Sequence, residues 1–279
     1  MNYKKYVFGD LSCKRFLKSF LFIYFCISMF GCFMADSLIF QPHEASYEKN
    51  NSIVEKIARE DASDLNIIYI ENPKSKYTVL FSHGNAEDLG DIYPFLLEYD
   101  SKGYSVIGYD YQGYGQTKGI SSEENCYRDI NDVFNYLTKK KKIAAEQIIL
   151  HGRSVGGGPT VELASKKKVA GTILESNFMS AFRVITYYPI LPFDRFNNIG
   201  KINKITSPIM FIHGKEDKVI PFYHSQNLKN EFEGKSDSFW IDDAGHNNIL
   251  QVARKKYWEK IAEFVELIDS LNKELKVLK

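Results

Sequence analysis

Cysteine is scarce in this chain and unevenly placed. Of four cysteines in 279 residues, Cys13, Cys26 and Cys32 fall in the N-terminal region, which leaves Cys126 alone in the remainder. A single cysteine cannot form a disulfide framework or a cysteine-based metal site, so Cys126 reads as a small packing residue on a helix. An excess of one charge is also missing: 36 basic against 35 acidic residues give a net charge of +1. A surface built to neutralise nucleic-acid phosphates needs a basic surplus, so nucleic acid is excluded as the default partner. No internal repeat or low-complexity segment is present. The lysine runs at 139–142 and 166–168 read as solvated helix ends, where cations complement the helix dipole.

What charge asymmetry there is lies at the start. Residues 1–18 carry five basic side chains against Asp10, a net +4, so the remaining chain carries −3 of the overall +1. Residues 19–35 then contain no charge at all and are followed by Asp36. Seventeen uncharged residues stand at the short limit for a membrane helix, and no small-x-small cleavage site follows them. The segment reads first as a single membrane anchor. The basic residues before it favour a cytoplasmic N-terminus, with the body on the other side of the membrane. Gly31-Cys32 offers an alternative, an exported lipoprotein with lipid on Cys32. The resulting division is a basic region at 1–18, the apolar segment at 19–35 outside the catalytic fold, and a single domain over 36–279. With 44% hydrophobic side chains, the chain is long enough for one large core.

From residue 65 onward, short β-branched or aromatic runs alternate with longer helical stretches, the pattern of a parallel sheet with crossover helices. Strands are expected at 67–71, 78–82, 105–109, 147–150, 171–174, 209–212 and 238–241. The last helix shows the clearest periodicity, with Trp258, Ile261, Val265, Ile268, Leu271 and Leu275 on one face. Three strands end in His-Gly, at His83, His151 and His213. In an open parallel sheet all carboxyl ends share one edge, where ligands bind. These imidazoles read as structural, each satisfying nearby backbone groups.

The chemistry is carried by Gly152-Arg153-Ser154-Val155-Gly156, a G-x-S-x-G match at a strand-to-helix turn. Such a turn strains the nucleophile and needs neighbours without side chains. A serine hydroxyl is a poor nucleophile without an adjacent base that is itself oriented by an acid. His246, in DAGHN after the last strand, stands where a loop-borne base is required, and Asp217, in GKEDKVIP, is the preferred acid. Glu216, Glu175, Asp242 and Asp243 are the competing carboxylates. Backbone N–H groups of Val155 and Asn85 are the expected oxyanion donors, the second from the loop after the 78–82 strand.

The motifs SHGNAEDLG, YDYQGYGQTKG, HGRSVGGGPTVELAS, SPIMFIHGKEDKVIP and AGHNNI occur in register over about residues 40–267. Together they resemble the α/β-hydrolase subgroup that includes membrane-associated protein depalmitoylases and their bacterial relatives. The resemblance implies a mostly parallel central sheet with helices on both faces and a short cap. It also implies Ser154, Asp217 and His246 as a triad, with Asn85 and Val155 as oxyanion donors. Two departures stand out: the N-terminal cysteine cluster of the depalmitoylases is replaced by an apolar segment, and Arg153 sits beside the nucleophile in place of a smaller uncharged residue.

The cap is expected at about 177–206, with Tyr187, Tyr188 and Phe193 as aromatic substrate contacts. The activity expected is hydrolysis of a carboxylic ester or thioester, without metal or organic cofactor. Its substrate would be a small or lipid-like acyl compound or an acylated protein. A peptidase or amidase on the same residues is the second reading, and a membrane-tethered binding protein of this fold the third.

Overall fold

The computed structural model describes residues 13–60 and 63–277. The basic residues at positions 4 and 5, the acid at position 10, and the side chain at position 275 lie outside what it describes. An eight-stranded sheet forms the centre, in the order β1-β2-β4-β3-β5-β6-β7-β8. Its strands are β1 (Glu55–Ile57), β2 (Leu65–Ile70), β3 (Thr78–Ser82), β4 (Ser105–Tyr109), β5 (Ile148–Arg153), β6 (Gly171–Glu175), β7 (Ile209–Gly214) and β8 (Ser236–Ile241). β2 runs antiparallel to β1 and β4, and every other pairing is parallel. The α/β-hydrolase architecture expected from the motifs is the one observed.

The central strands read as unbroken apolar runs because both of their faces are covered. All five residues of β3, β4 and β6 are buried. Alternate side chains enter different layers, as the two-residue period of a strand requires. Leu80, Ile107, Leu150, Leu174 and Phe211 join one core. Val79, Phe81, Val106, Ile149, Ile173 and Met210 join the other. Each such side chain contributes about 1.5–3 kcal/mol by leaving water. The C-terminal helix, Lys255–Val277, closes the second layer with Tyr257, Trp258, Ile261, Phe264 and Ile268.

Two boundaries differ from expectation. Strand β1 has three residues, none of them buried, so no alternation marks it in the sequence. The N-terminal helix α1 (Cys13–Ile39) does not stop at the charge of Asp36 but runs on for three residues. Its end therefore enters the body: Phe40 is buried against Tyr114 and Phe196. Within the cap, a single helical turn at Arg183–Thr186 is followed by Tyr187 at φ +62°.

Candidate active site

Parallel strands deliver the functional side chains to one edge. Ser154 follows β5, the Gly84–Asn85 loop follows β3, Asp217 follows β7, and His246 follows β8. Ser154 has φ +54°, a left-handed conformation that costs a residue with a side chain about 1–3 kcal/mol. Its glycine neighbours are dictated by space. A Cβ on Gly152 would stand 2.5 Å from Thr160 Oγ1, and one on Gly156 would stand 2.2 Å from the Ser82 carbonyl oxygen. Only glycine lets the elbow cross the end of β3 at this distance.

The three distant residues meet. Ser154 Oγ lies 2.9 Å from His246 Nε2, and His246 Nδ1 lies 2.7 Å from Asp217 Oδ2. An ionised carboxylate only accepts, so Nδ1 carries the proton and Nε2 is left to accept from the serine hydroxyl. Asp217 Oδ1 accepts from the N–H groups of Val219 at 2.9 Å and Ile220 at 2.8 Å. Burial by itself would raise the pKa of Asp217. Hydrogen bonds from His213 and His246, the charge on His246 and the Ile220 N–H outweigh it and hold the carboxyl well below its ordinary value.

The competing carboxylates stand elsewhere. Glu216 and Asp243 are exposed, and Asp242 is exposed and paired with Lys215 at 2.5 Å. Glu175 is buried, but it accepts from Tyr257 Oη at 2.5 Å. Of the strand-end histidines, His83 bonds through Nδ1 to the Gly84 carbonyl at 2.7 Å, and His151 Nδ1 bonds to Tyr99 Oη at 2.8 Å. His213 does more than fill the core. Its Nε2 lies 3.1 Å from Asp217 Oδ2 and 2.9 Å from the Ile220 carbonyl, while its Nδ1 bonds Ser225 Oγ at 2.6 Å. Sequence reasoning missed this contact, because the His-Gly at the end of β7 looks like the other two.

The loop after β3 is held from three directions. A Cβ on Gly84 would stand 3.7 Å from that of Ser154, so the loop lies directly beside this serine. Glu87 Oε2 accepts from the Gly84 N–H at 2.8 Å, and its other oxygen pairs with Arg153. Arg153, whose guanidinium also lies over the Phe81 ring at 5.5 Å, thus ties the loop to the end of β5 just before Ser154. Asn85 Nδ2 donates to the carbonyl of Ile39 at 2.7 Å, and Asn85 Oδ1 accepts from the Gln41 N–H at 3.0 Å and from Tyr114 Oη. The end of α1 is therefore bonded to the loop expected to supply an oxyanion donor.

A groove of about 540 Å³ opens over Ser154, Val155, Asn85 and His246, with Leu38, Ile39, Val184, Ile185, Val219 and Ile220 among its walls. The aromatic residues nominated for the cap do not line it. Tyr187 stacks on Tyr223 at 5.9 Å and Tyr188 is 76% exposed. Phe193 packs on Phe182 at 5.7 Å, with an edge near Gly31 of α1. Past Tyr187 the chain meets the N-terminal helix, where Tyr24 Oη donates to the Ile190 carbonyl at 2.8 Å. Among the described residues, His43, Asp88 and Asp91 have the spacing of metal ligands. There, Asp88 already caps the helix Leu89–Ser101 and accepts from the Ser46 N–H at 2.7 Å.

Residues 73–192 match the family model described as serine aminopeptidase, S33. The chain is 41% identical over 200 residues to alpha/beta hydrolase domain-containing protein 17C of Mus musculus, covering 69% of this chain and 61% of that protein. It is 40% identical over 201 residues to protein 17B of Xenopus tropicalis, covering 70% and 68% respectively. The chain thus spans about three fifths of the length of the 17C relatives. Among solved structures, an esterase of Pyrococcus furiosus superposes with a TM-score of 0.68 at 18% identity, over 82% of this chain and 97% of that one. Alpha/beta hydrolase domain-containing protein 10 from mouse gives 0.57 at 18% identity, over 80% and 99%. Both structural likenesses concern the fold.

Proposed function

This chain belongs to the α/β-hydrolase family of the domain-containing 17 proteins, and on that premise we propose that it is a serine hydrolase cleaving carboxylic esters or thioesters. The observation that carries the reading is the unbroken hydrogen-bonded line from Ser154 Oγ through His246 to Asp217, at 2.9 and 2.7 Å.

In this mechanism Ser154 Oγ attacks the acyl carbon while His246 Nε2 takes its proton. The carbonyl oxygen gains the negative charge and is met by the N–H groups of Val155 and Asn85. The C–O or C–S bond to the leaving group then breaks, and the imidazolium returns its proton to that alkoxide or thiolate. Asp217 stabilises the imidazolium and fixes its tautomer without itself taking the proton. Water, deprotonated by His246, cleaves the acyl-enzyme and releases the acid. The apolar walls of the groove, from Leu38 and Ile39 to Val219, suit the hydrocarbon part of an acyl group. Among such substrates are lipid-like esters and acylated proteins.

Helix α1, with 27 residues, is long and apolar enough to cross a membrane. It supports membrane association of the chain through residues 19–35. The basic residues ahead of it favour a body on the extracytoplasmic side, and lipid on Cys32, which is exposed, is the alternative mode of attachment. Amide cleavage on the same residues is the second reading, favoured by the aminopeptidase family model over residues 73–192.

The test is a panel of esters, thioesters and acyl amides of graded chain length, offered to the full chain in detergent beside Ser154→Ala. Ester or thioester turnover should exceed amide turnover, rise with acyl length, and fall about 10⁴-fold or more in Ser154→Ala. Faster amide turnover would favour the peptidase reading, and turnover preserved in Ser154→Ala would remove the serine mechanism.

A further inference from the structure

Glu87 and Arg153 place two opposite charges in the wall of the groove, beside Ser154. Glu87 folds back over its own loop, where Oε2 accepts from the Gly84 N–H at 2.8 Å across a turn in which Ala86 has φ +53°. A residue with a side chain keeps that left-handed conformation only where its surroundings hold it. Position 84 must be glycine for the hook to close, since a Cβ there would stand 2.9 Å from Glu87 Oε2.

Gly84 is held on its other side as well. Its carbonyl accepts from His83 Nδ1 at 2.7 Å. The Gly84 carbonyl and the Asn85 N–H share one planar peptide and point in opposite directions, so bonds on both sides of this free residue fix where the Asn85 N–H is aimed. The Asn85 side chain is committed elsewhere, to the Ile39 carbonyl and the Gln41 N–H. Among the described residues, no group accepts from the Asn85 N–H.

Arg153, at the end of β5, supplies the counter-charge. Its Nη2 donates to Glu87 Oε1, and its guanidinium lies over the rings of Phe81 and Phe95 at 5.5 and 5.7 Å. Burial by itself would raise the pKa of Glu87. The charge of Arg153 and its hydrogen bond outweigh burial and keep this carboxyl below its ordinary value. An ionised carboxylate beside Ser154, standing alone, would oppose negative charge growing on a substrate oxygen. The guanidinium cancels it.

We propose that Glu87 and Arg153 are positioning residues for the oxyanion loop: Glu87 hooks Gly84 so that the Asn85 N–H faces the forming oxyanion, and Arg153 cancels the charge that the hook brings there. Neither touches the reacting atoms. The inference rests on the serine-hydrolase reading above and extends it beyond the residues named there.

The test is steady-state kinetics of the full chain in detergent on two matched esters, one neutral and one bearing a carboxylate, with the folded fraction of each variant taken from circular dichroism. Glu87→Ala removes the hook and should lower kcat about thirtyfold with KM within about threefold, a part of the roughly 10²–10³ that follows loss of an oxyanion donor. Glu87→Gln keeps an acceptor for the Gly84 N–H and should turn over about tenfold faster than Glu87→Ala. Arg153→Met leaves the carboxylate uncompensated and should lower kcat about a hundredfold, of which adding Glu87→Gln should restore about tenfold. Both esters should respond alike. A loss confined to the carboxylate-bearing ester and seen as a rise in KM would make Arg153 a substrate contact and overturn the proposal. Equal rates for Glu87→Ala and Glu87→Gln, or a double variant no faster than Arg153→Met, would also overturn it. Should Arg153→Met not fold, the double variant decides: it carries no unpaired charge and should exceed Glu87→Ala about threefold, and a rate at or below that of Glu87→Ala would contradict the cancelling role. A parent chain that hydrolyses neither ester removes the hydrolase reading itself, whereas an active parent matched by all these variants removes the positioning alone.

Discussion

Two buried aspartates stand just beyond the carboxyl ends of strands in this sheet, and their surroundings drive them in opposite directions. Asp110, after β4, is fully buried, and its donors are neutral, among them the Leu89 N–H at 2.8 Å and the hydroxyl of Tyr47. Burial dominates there and pushes its carboxyl up to about 7, with the charge of Asp88 adding to the rise. Asp217, after β7, is also buried, but two imidazoles reach it and its carboxyl falls well below the ordinary value. At Asp110 the neutral hydrogen bonds do not offset the lost hydration, whereas at Asp217 partners able to carry positive charge add enough to do so. One aspartate is a structural acid; the other is kept ionised beside an imidazole.

The sharpest way to break the comparison is to remove the charge at each position. Asp217→Asn should leave the chain folded but lower kcat/KM by about 10⁴, because an amide no longer holds His246 in the tautomer that accepts from Ser154. Circular dichroism and ester turnover on the same sample check this, and activity within tenfold of the parent would contradict it. At Asp110 the expected effect is smaller and falls on stability. The folded state keeps its proton up to about pH 7, while the unfolded chain releases it near the ordinary 3.8. The contribution of Asp110 is therefore complete below about pH 3.8 and is lost as pH rises through 7. Asp217 has the opposite sign: its contribution is present above the ordinary carboxyl value and is lost as pH falls below it. In Asp110→Asn, denaturant midpoints measured from pH 4 to 8 should lose the downward slope between about 4 and 7. An unchanged slope would show that Asp110 is ionised throughout.

Much of this arrangement was legible in the sequence because it rests on local signals. The strands at 78–82 and 105–109 coincide with β3 and β4, since buried parallel strands are short apolar runs between turns. Ser154 was marked by glycines that the elbow cannot do without. The less legible features depend on where side chains travel after the backbone is placed. The approach of His213 to Asp217, the clamp of Arg153 on Glu87 and the bonding of Asn85 to the end of α1 each join segments with no shared pattern. The aromatic residues of the cap form a legible cluster, but what each packs on, Tyr223 for Tyr187 and Phe182 for Phe193, joins positions with no shared pattern. Residues 19–35 are expected outside the catalytic fold, and the helix that contains them runs on to Leu38 and Ile39, which line the groove.

The central claim is that Ser154 is made nucleophilic by His246 and Asp217. It is tested most directly by treating the full chain with a fluorophosphonate and locating the adduct by peptide mass spectrometry. The account predicts one adduct, on the peptide carrying Ser154, absent in Ser154→Ala and formed at least a hundredfold more slowly in His246→Ala. An adduct that persists in Ser154→Ala, or that forms at the parent rate without the imidazole, would contradict it.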